Sequence, residues 1–464
     1  MARIPTNFAI GQTFHWMDRE FTIKTGFSGH SPRTGNLKIG LKTLVTPCFL
    51  YNTAFGRIPH LVHTEMHAGP MMMAMEEFID TVLPIQHSNR TAALPNNDAS
   101  EIASSSLQKL ASNDPEPERI LFLIGANPER LAISLVKNWP KQGRNTIGLL
   151  SCSVKHHLVP AELYAKLCLI LKPDVIIADE PSQRLYAEAC STDIPTFDRV
   201  GRTKTLKLRT RWAKWAKEFL LDSPTDIPIF LGVGGDSHPS DRAATAEIIA
   251  ATGQHTVMGY SMHLPTPDVH LMLNTSQKWK RLWNERLSSS LKVLPVEKPK
   301  ILIGCQCLKQ LVHAISRGVD LFDNQWINTL TLRGAALIIS FDSPLVKSEH
   351  NIDNHGVQLM SSYQWILDMN DATVTEPANE NTLTAERRGI WRKDTRVISP
   401  TCECWTCKLP HSRAYIHHLL KVHDMLAYVL LGHHNLHQLD MFFAQIRASI
   451  RNGQFDDKAA AFTK

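Results

Sequence analysis

The sequence predicts an α/β fold, a closed (β/α)8 TIM barrel with a late zinc-binding insertion and C-terminal helices, on three observations. Short, fully apolar runs (ILFLIGA, TIGLLSC, DVIIAD, IPIFLGVGG, HTVMGYSM, KILIGC, GVDLFD) recur between residues 120 and 323. Helical stretches such as PAELYAKLCLILK and DRAATAEIIAATG separate several of them. Late in the chain, TCECWTCKLPHSRAYIHHLL sets Cys402, Cys404 and Cys407 just ahead of a histidine-rich helix. Strands without alternating polarity are buried on both faces, which a parallel sheet covered by helices provides. So many units in one chain favour closure into a barrel over the alternative, a doubly wound sheet.

In chain order, residues 1–45 form a β-rich segment, with FTIKTGFSG and RTGNLKIGL turning on glycines as in hairpins. Residues 46–344 form the barrel body. TLVTPCFLYN is its first buried strand, and MMMAMEEFIDTVL is expected to be helical. Residues 86–118, poor in aliphatics and rich in Ser, Asn, Asp and Pro, are expected to be an insertion or mobile loop. Residues 345–464 hold a loop-rich excursion, the zinc-binding subdomain and the terminal helices. Within RAYIHHLLKVHDMLAYVLLGHHN, the residues Ile416, Leu419, Leu420, Leu426, Val429 and Leu430 are spaced by threes and fours, so one face is apolar. That helix is expected to end near His433–His434–Asn435, and DMFFAQIRASIRNG makes a second.

With 464 residues and 43% hydrophobic content, the chain can bury a substantial core. Its nine cysteines are an odd number, and six (Cys48, Cys152, Cys168, Cys190, Cys305, Cys307) are scattered, unlike a secreted disulfide framework. The first twenty residues lack a signal-like apolar stretch, and no window reaches the roughly 18 apolar residues of a membrane span. A soluble, intracellular protein with reduced thiols is expected. A net charge of +6 is mild, yet eight basic residues fall between Arg199 and Lys217 with no carboxylate among them. Lys207, Arg211 and Lys214 share a helical face, with Trp212, Trp215 and Phe219 on another. The basic face is either a solvated stripe or a set of phosphate contacts. The GVGG turn after IPIFL is a βα loop that could cradle phosphate.

C-x-C-x-x-C places three thiolates within reach of one metal, and structural zinc takes four S and N ligands in a tetrahedron. The fourth ligand is open among His411, His417, His418, His423, His433, His434 and His437. A site closed by three cysteines and one histidine has no open position, so a structural zinc is expected over a catalytic one.

From Cys402 onward, C-x-C-x-x-C, then S-R-A-Y-I-H-H-L-L, then H-N, resembles the zinc-binding end of the tRNA-guanine transglycosylase (queuine tRNA-ribosyltransferase) family. KPKILIGCQCLKQLVHAISRGVDLFDN and LVTPCFLYNTAFGRIPHL are similar to further stretches of that family. The resemblance implies a (β/α)8 barrel and, because the histidine before the asparagine is the family's ligand, a zinc set of Cys402, Cys404, Cys407 and His434, one ion per subunit.

In active members one aspartate attacks C1′ of the ribose and a second carboxylate handles the proton. Asp323 stands at the nucleophile position, but Asn324, Gln325, Trp326 and Ile327 follow it instead of the family's Pro-Thr-Arg segment. The hexapeptide D-S-G-G-F-Q is absent. Asp179–Glu180–Pro181 keeps the base-recognition aspartate, whereas Val233–Gly234 replaces a Gln-Gly and GYSMHLP replaces the next glycine-rich motif. These losses resemble the family's non-catalytic accessory branch. That implies a heterodimer with a separate catalytic subunit, tRNA as a partner, and Tyr415 to Leu431 at the subunit interface; a homodimer when alone is a further partner state that the sequence does not decide. It also implies a cytoplasmic protein, peripheral to the mitochondrial outer membrane. Lys207, Arg211 and Lys214 are the candidate tRNA contacts. The alternative is a competent transglycosylase using Asp323 as nucleophile with Asp179.

Overall fold

The computed structural model describes residues 13–16, 19–25, 29–54, 57–61, 69–77, 120–125, 146–150, 156–178, 199–223, 226–234, 238–253, 256–264, 277–305, 308–342, 366–369, 394–409 and 411–463. The chain divides into two compact units, Met1–Arg57 with His67–Asp323, and Ile58–Met66 with Asn324–Lys464.

The first unit opens with an antiparallel sheet of β1 (Thr13–Trp16), β2 (Arg19–Thr25), β3 (Thr34–Ile39) and β4 (Lys42–Thr46). Eight parallel strands then close a barrel: β5 (Cys48–Asn52), β6 (Met71–Ala74), β7 (Leu121–Ile124), β10 (Val175–Ala178), β11 (Ile229–Gly232), β12 (Gly259–His263), β13 (Lys300–Ile303) and β14 (Leu321–Asp323). β14 pairs with β5, and β7 pairs with β10 across the intervening hairpin of β8 (Thr146–Leu150) and β9 (His156–Pro160). Helices α1 (Ala161–Leu171), α2 (Arg199–Asp222), α3 (Pro239–Thr252), α4 (Gln277–Leu291) and α5 (Leu308–Ser316) alternate with the later strands. Leu50, Met72, Phe122, Ile177, Phe230 and Ile301 share one core cluster with Phe21 and Leu37 of the antiparallel sheet.

Buried charge is paired where the barrel needs it. The Arg33 guanidinium grips Asp320 with two hydrogen bonds, at 2.8 and 2.6 Å, and donates to the carbonyls of Val296 and Lys298. The other oxygen-rich neighbour, Lys300, is fully buried and donates to the carbonyls of Pro295 and Lys298 at 2.9 and 2.8 Å. Arg33 is thus met by a carboxylate and two carbonyls, the condition under which a buried cation is tolerated, while burial pushes the Lys300 ammonium well below its usual pKa.

Two sequence expectations change here. Met71–Ala74 is a barrel strand rather than the start of a helix. A strand buried on both faces carries no period of two, and methionine favours helices, so pattern and propensity both mislead. TIGLLSC contributes β8, which pairs antiparallel with β9 outside the barrel. The link between them is too short for the crossover that parallel pairing requires. The polar stretch 86–118 lies outside the described residues.

The second unit contains α6 (Gln325–Leu332), a two-stranded antiparallel pair of β15 (Ala335–Leu337) and β16 (Ile366–Asp368), and then α7 (Trp405–Lys408), α8 (Arg413–Lys421), α9 (Met425–Arg451) and α10 (Phe455–Thr463). Its core gathers Ala336, Leu367, Ile398, Ile416, Leu420 and Leu430 around the three clustered cysteines. The helix break falls at 422–424, earlier than the sequence pattern suggests. His423 adopts φ 56°, and the Asp424 carboxylate accepts the Leu426 N–H at 2.8 Å as an N-cap. α9 then runs unbroken past His433–Asn435, because nothing between there and Asn452 interrupts a helix. Among the described residues no helix is long and apolar enough to cross a membrane.

Candidate metal centre and barrel rim

Cys402, Cys404 and Cys407 are presented by a turn and a single helical turn. The Cys402 N–H donates to the Ser399 carbonyl at 3.2 Å, and Cys404 is the N-cap of α7, its sulfur accepting the Cys407 N–H at 3.4 Å. Thr406 Oγ1, between the thiols, donates to the Leu430 carbonyl at 2.7 Å and ties α7 to α9. The turn before it is clamped by Arg413, which donates to the carbonyls of Val397 and Ile398 at 3.1 and 2.9 Å and lies 3.3 Å from Asp394. Burial alone would raise the Asp394 carboxyl, but hydrogen bonds from Arg396 and the charge of Arg413 outweigh it and hold it below the usual value.

α9 brings His434 to the thiols. Its Nδ1 lies 3.6, 3.5 and 3.4 Å from the sulfurs of Cys402, Cys404 and Cys407, and the four donor atoms lie within 4.8 Å of one another. A zinc tetrahedron with Zn–S of about 2.3 Å and Zn–N of about 2.0–2.1 Å has an S···N edge of roughly 3.6 Å. The donor set and its spacing therefore fit that ion. The other ring nitrogen, Nε2, donates to the Leu337 carbonyl at 2.8 Å, so that in the neutral imidazole Nδ1 carries the lone pair that faces the sulfurs. Hydrogen bonds from Cys404 and Cys407 hold Cys402 far down, and those of Cys404 to Cys402 and Cys407 hold it far up. Among the described residues no other His, Cys, Asp and Glu side chains converge in this way.

The remaining histidines are engaged elsewhere. His417 Nδ1 faces the Met369 carbonyl at 2.8 Å, and His433 packs its ring 5.6 Å from that of Trp405. His411 lies between Trp405 and Tyr415, at 5.5 and 5.7 Å. His418 and His423 are exposed, and His437 is half-buried. Sequence reasoning misses the polar residues that follow His434 on the buried side of α9. Asn435 Oδ1 accepts the Leu337 N–H at 2.7 Å, Gln438 Oε1 accepts that of Ile339 at 3.3 Å, and Gln445 Oε1 accepts that of Phe341 at 2.7 Å. The signal was available: three amides at helical spacing on an otherwise apolar helix face.

In the first unit, Asp323 ends β14 and is 2% exposed, and its Oδ1 accepts the Gly304 N–H from the end of β13 at 2.9 Å. Parallel strands put the C-terminal ends of all eight on one rim, where barrel chemistry is built. On that rim β7 is followed by Gly125, where an added Cβ would meet the Tyr164 hydroxyl at 2.7 Å, and β11 is followed by Val233 and Gly234. Asp179, Glu180 and Pro181 lie outside the described residues. On α2, Trp212, Trp215 and Phe219 are buried and stacked at 5.1 and 5.2 Å, and the indole N–H of Trp212 donates to the Gly232 carbonyl at 2.9 Å. Arg211 is half-buried, and Lys214 is exposed, 3.8 Å from Glu218. Lys207 lies on the same helix, its side chain outside the described residues.

The sequence model of the queuine tRNA-ribosyltransferase family (TGT) matches residues 151–464. Queuine tRNA-ribosyltransferase accessory subunit 2 of Xenopus tropicalis is 32% identical over 181 residues, 38% of this chain and 43% of that protein. The protein of the same name from Anopheles gambiae is 25% identical over 446 residues, 93% of this chain and 87% of its own length. Queuine tRNA-ribosyltransferase of Histophilus somni is 25% identical over 279 residues, 60% of this chain and 59% of that protein. The chain thus spans less than half the length of the Xenopus relative that it matches at higher identity. With a closed eight-stranded parallel barrel and a family match over most of its length, the chain belongs to the queuine tRNA-ribosyltransferase family.

Proposed function

We propose that this chain is the non-catalytic accessory subunit of a heterodimeric queuine tRNA-ribosyltransferase, which exchanges guanine for queuine at the wobble position of tRNAs with GUN anticodons. The extent of the likeness carries the reading: a relative named accessory subunit 2 aligns with 93% of the chain. The rim supports it. Asp323 keeps the nucleophile position, but its carboxylate is buried against the Gly304 N–H, and the hexapeptide D-S-G-G-F-Q that carries the family's second acid is absent from the sequence. Val233 and Gly234 offer no side-chain amide to pair with a purine edge.

In this reading the chain assembles with the catalytic subunit, helps to position tRNA through Lys207, Arg211 and Lys214, and forms a homodimer when alone. Cys402, Cys404, Cys407 and His434 hold one structural zinc. Held there, the ion would supply the positive charge that three thiolates need, and the residues that hold it lie on α7 and α9, on either side of the Tyr415–Leu431 stretch proposed for the subunit interface. A place in the cytoplasm, peripheral to the mitochondrial outer membrane, follows from the family resemblance alone.

One observation favours a competent transglycosylase instead: Asp323 is still an aspartate on the rim. Substituting Asp323→Asn in the assembled complex separates the two. Base exchange at the rate of the unsubstituted complex is expected. Loss to background with normal assembly would make Asp323 the nucleophile.

A further inference from the structure

The backbone of Leu337, the last residue of β15, is held on both sides by consecutive residues of α9. Asn435 Oδ1 accepts its N–H at 2.7 Å, and His434 Nε2 donates to its carbonyl at 2.8 Å. Asn435 also donates through Nδ2 to the Ala335 carbonyl at 3.0 Å and to Thr331 Oγ1 at 3.1 Å. The amide is fully buried, and turning it over would set donor against donor and acceptor against acceptor. Its orientation is therefore determined by β15 and the end of α6.

A metal-ligating imidazole takes its orientation from the acceptor of its other N–H. For His434 that acceptor is the Leu337 carbonyl, and the side chain that holds the N–H of the same residue is Asn435. We infer that Asn435 is a positioning residue of the metal centre, never itself a ligand, which couples occupancy of the Cys3His site to the docking of β15 against α9. This inference rests on the zinc assignment proposed above. Coupling between two equilibria is reciprocal, so β15 docking strengthens metal binding as much as the metal strengthens docking.

Gln445 provides an internal control. It caps the same chain edge by accepting the Phe341 N–H at 2.7 Å, but stands about three helical turns beyond His434. General loosening of α9 would act through both amides, whereas orientation of the His434 ring acts through Asn435, which holds Leu337, and not through Gln445, which holds Phe341.

The test uses the full-length chain in a zinc competition against a chromogenic chelator, comparing the unsubstituted protein with Asn435→Ala and Gln445→Ala. Alongside it, amide hydrogen exchange of the 335–341 peptide is followed in the unsubstituted protein with and without zinc, so the result does not depend on a variant folding. Zinc affinity is expected to fall about 10- to 100-fold in Asn435→Ala, the usual cost of losing an outer partner of a ligand, and less than about threefold in Gln445→Ala. Stripping zinc is expected to speed exchange at 335–341 by a similar factor while leaving the barrel strand at 175–178 unchanged. Equal affinities for the two variants, or zinc-independent exchange at 335–341, would overturn the coupling. An unsubstituted chain that takes up no zinc overturns the Cys3His assignment itself, and the inference with it.

Discussion

Cys404 serves two structures with one sulfur: it caps α7 by accepting the Cys407 N–H, and it lies 3.5 Å from His434 Nδ1. Cys404→Ser keeps an acceptor for the cap but supplies a poor zinc ligand, so it isolates the metal role. Metal content measured by mass spectrometry should fall from one zinc per chain toward none in Cys404→Ser and in His434→Ala. Full occupancy in either variant contradicts the ligand set. A site held at a hundredfold above its Kd contributes about 2.7 kcal/mol, so thermal stability should fall with the metal. The three cysteines are legible in the sequence because C-x-C-x-x-C brings the thiols together within one turn. Spacing alone leaves seven histidines open, since only the continuous α9 and the Leu337 carbonyl decide which ring nitrogen faces the sulfurs. His30 offers a second test at this scale. Burial, followed by the charges of Lys300, Arg33 and Arg317, lowers its pKa from 6.5 to about 4. The unfolded chain takes up that proton first as pH falls, so the stability His30 contributes is complete above about 6.5 and declines down through about 4. Urea midpoints should drop less over that window in His30→Gln than in the unsubstituted protein; parallel curves would remove His30 as the cause.

Among the elements, α2 separates two kinds of consequence. Trp215 is 1% exposed, stacked between Trp212 and Phe219, and donates to the Val159 carbonyl at 3.3 Å. Trp215→Ala should therefore cost about 3–5 kcal/mol in denaturant unfolding. Lys214 is exposed, and its ion pair with Glu218 is long, so Lys214→Glu should leave that unfolding transition nearly in place. If Lys214 contacts tRNA phosphate, the same change weakens binding across tRNA sequences and reduces the salt slope by roughly one ion. Unchanged affinity and slope would leave it a solvated face. The two faces of α2 are legible because the tryptophans recur at helical spacing. β6 is not, because a strand buried on both sides and composed of methionines carries a helix former's composition and no alternation. The boundary between α8 and α9 is missed for a related reason: one aspartate cap and one left-handed histidine mark it, without glycine or proline.

At the scale of the whole molecule, the repeated apolar runs are enough to predict a barrel, and closure of eight parallel strands makes it so. Function is less legible, because it depends on residues at strand ends that the apolar pattern does not constrain. Asp323 alone suggests chemistry, whereas Val233 and Gly234 on the same rim and the absent D-S-G-G-F-Q suggest its loss. In the function proposed above, the fold is kept for assembly and tRNA positioning while base exchange belongs to a partner. The most direct test is guanine exchange into a tRNA with a GUN anticodon, by this chain alone and again with the catalytic subunit added. Exchange only in the mixture is the expected result; turnover by the chain alone, above a heat-inactivated control, would contradict the account.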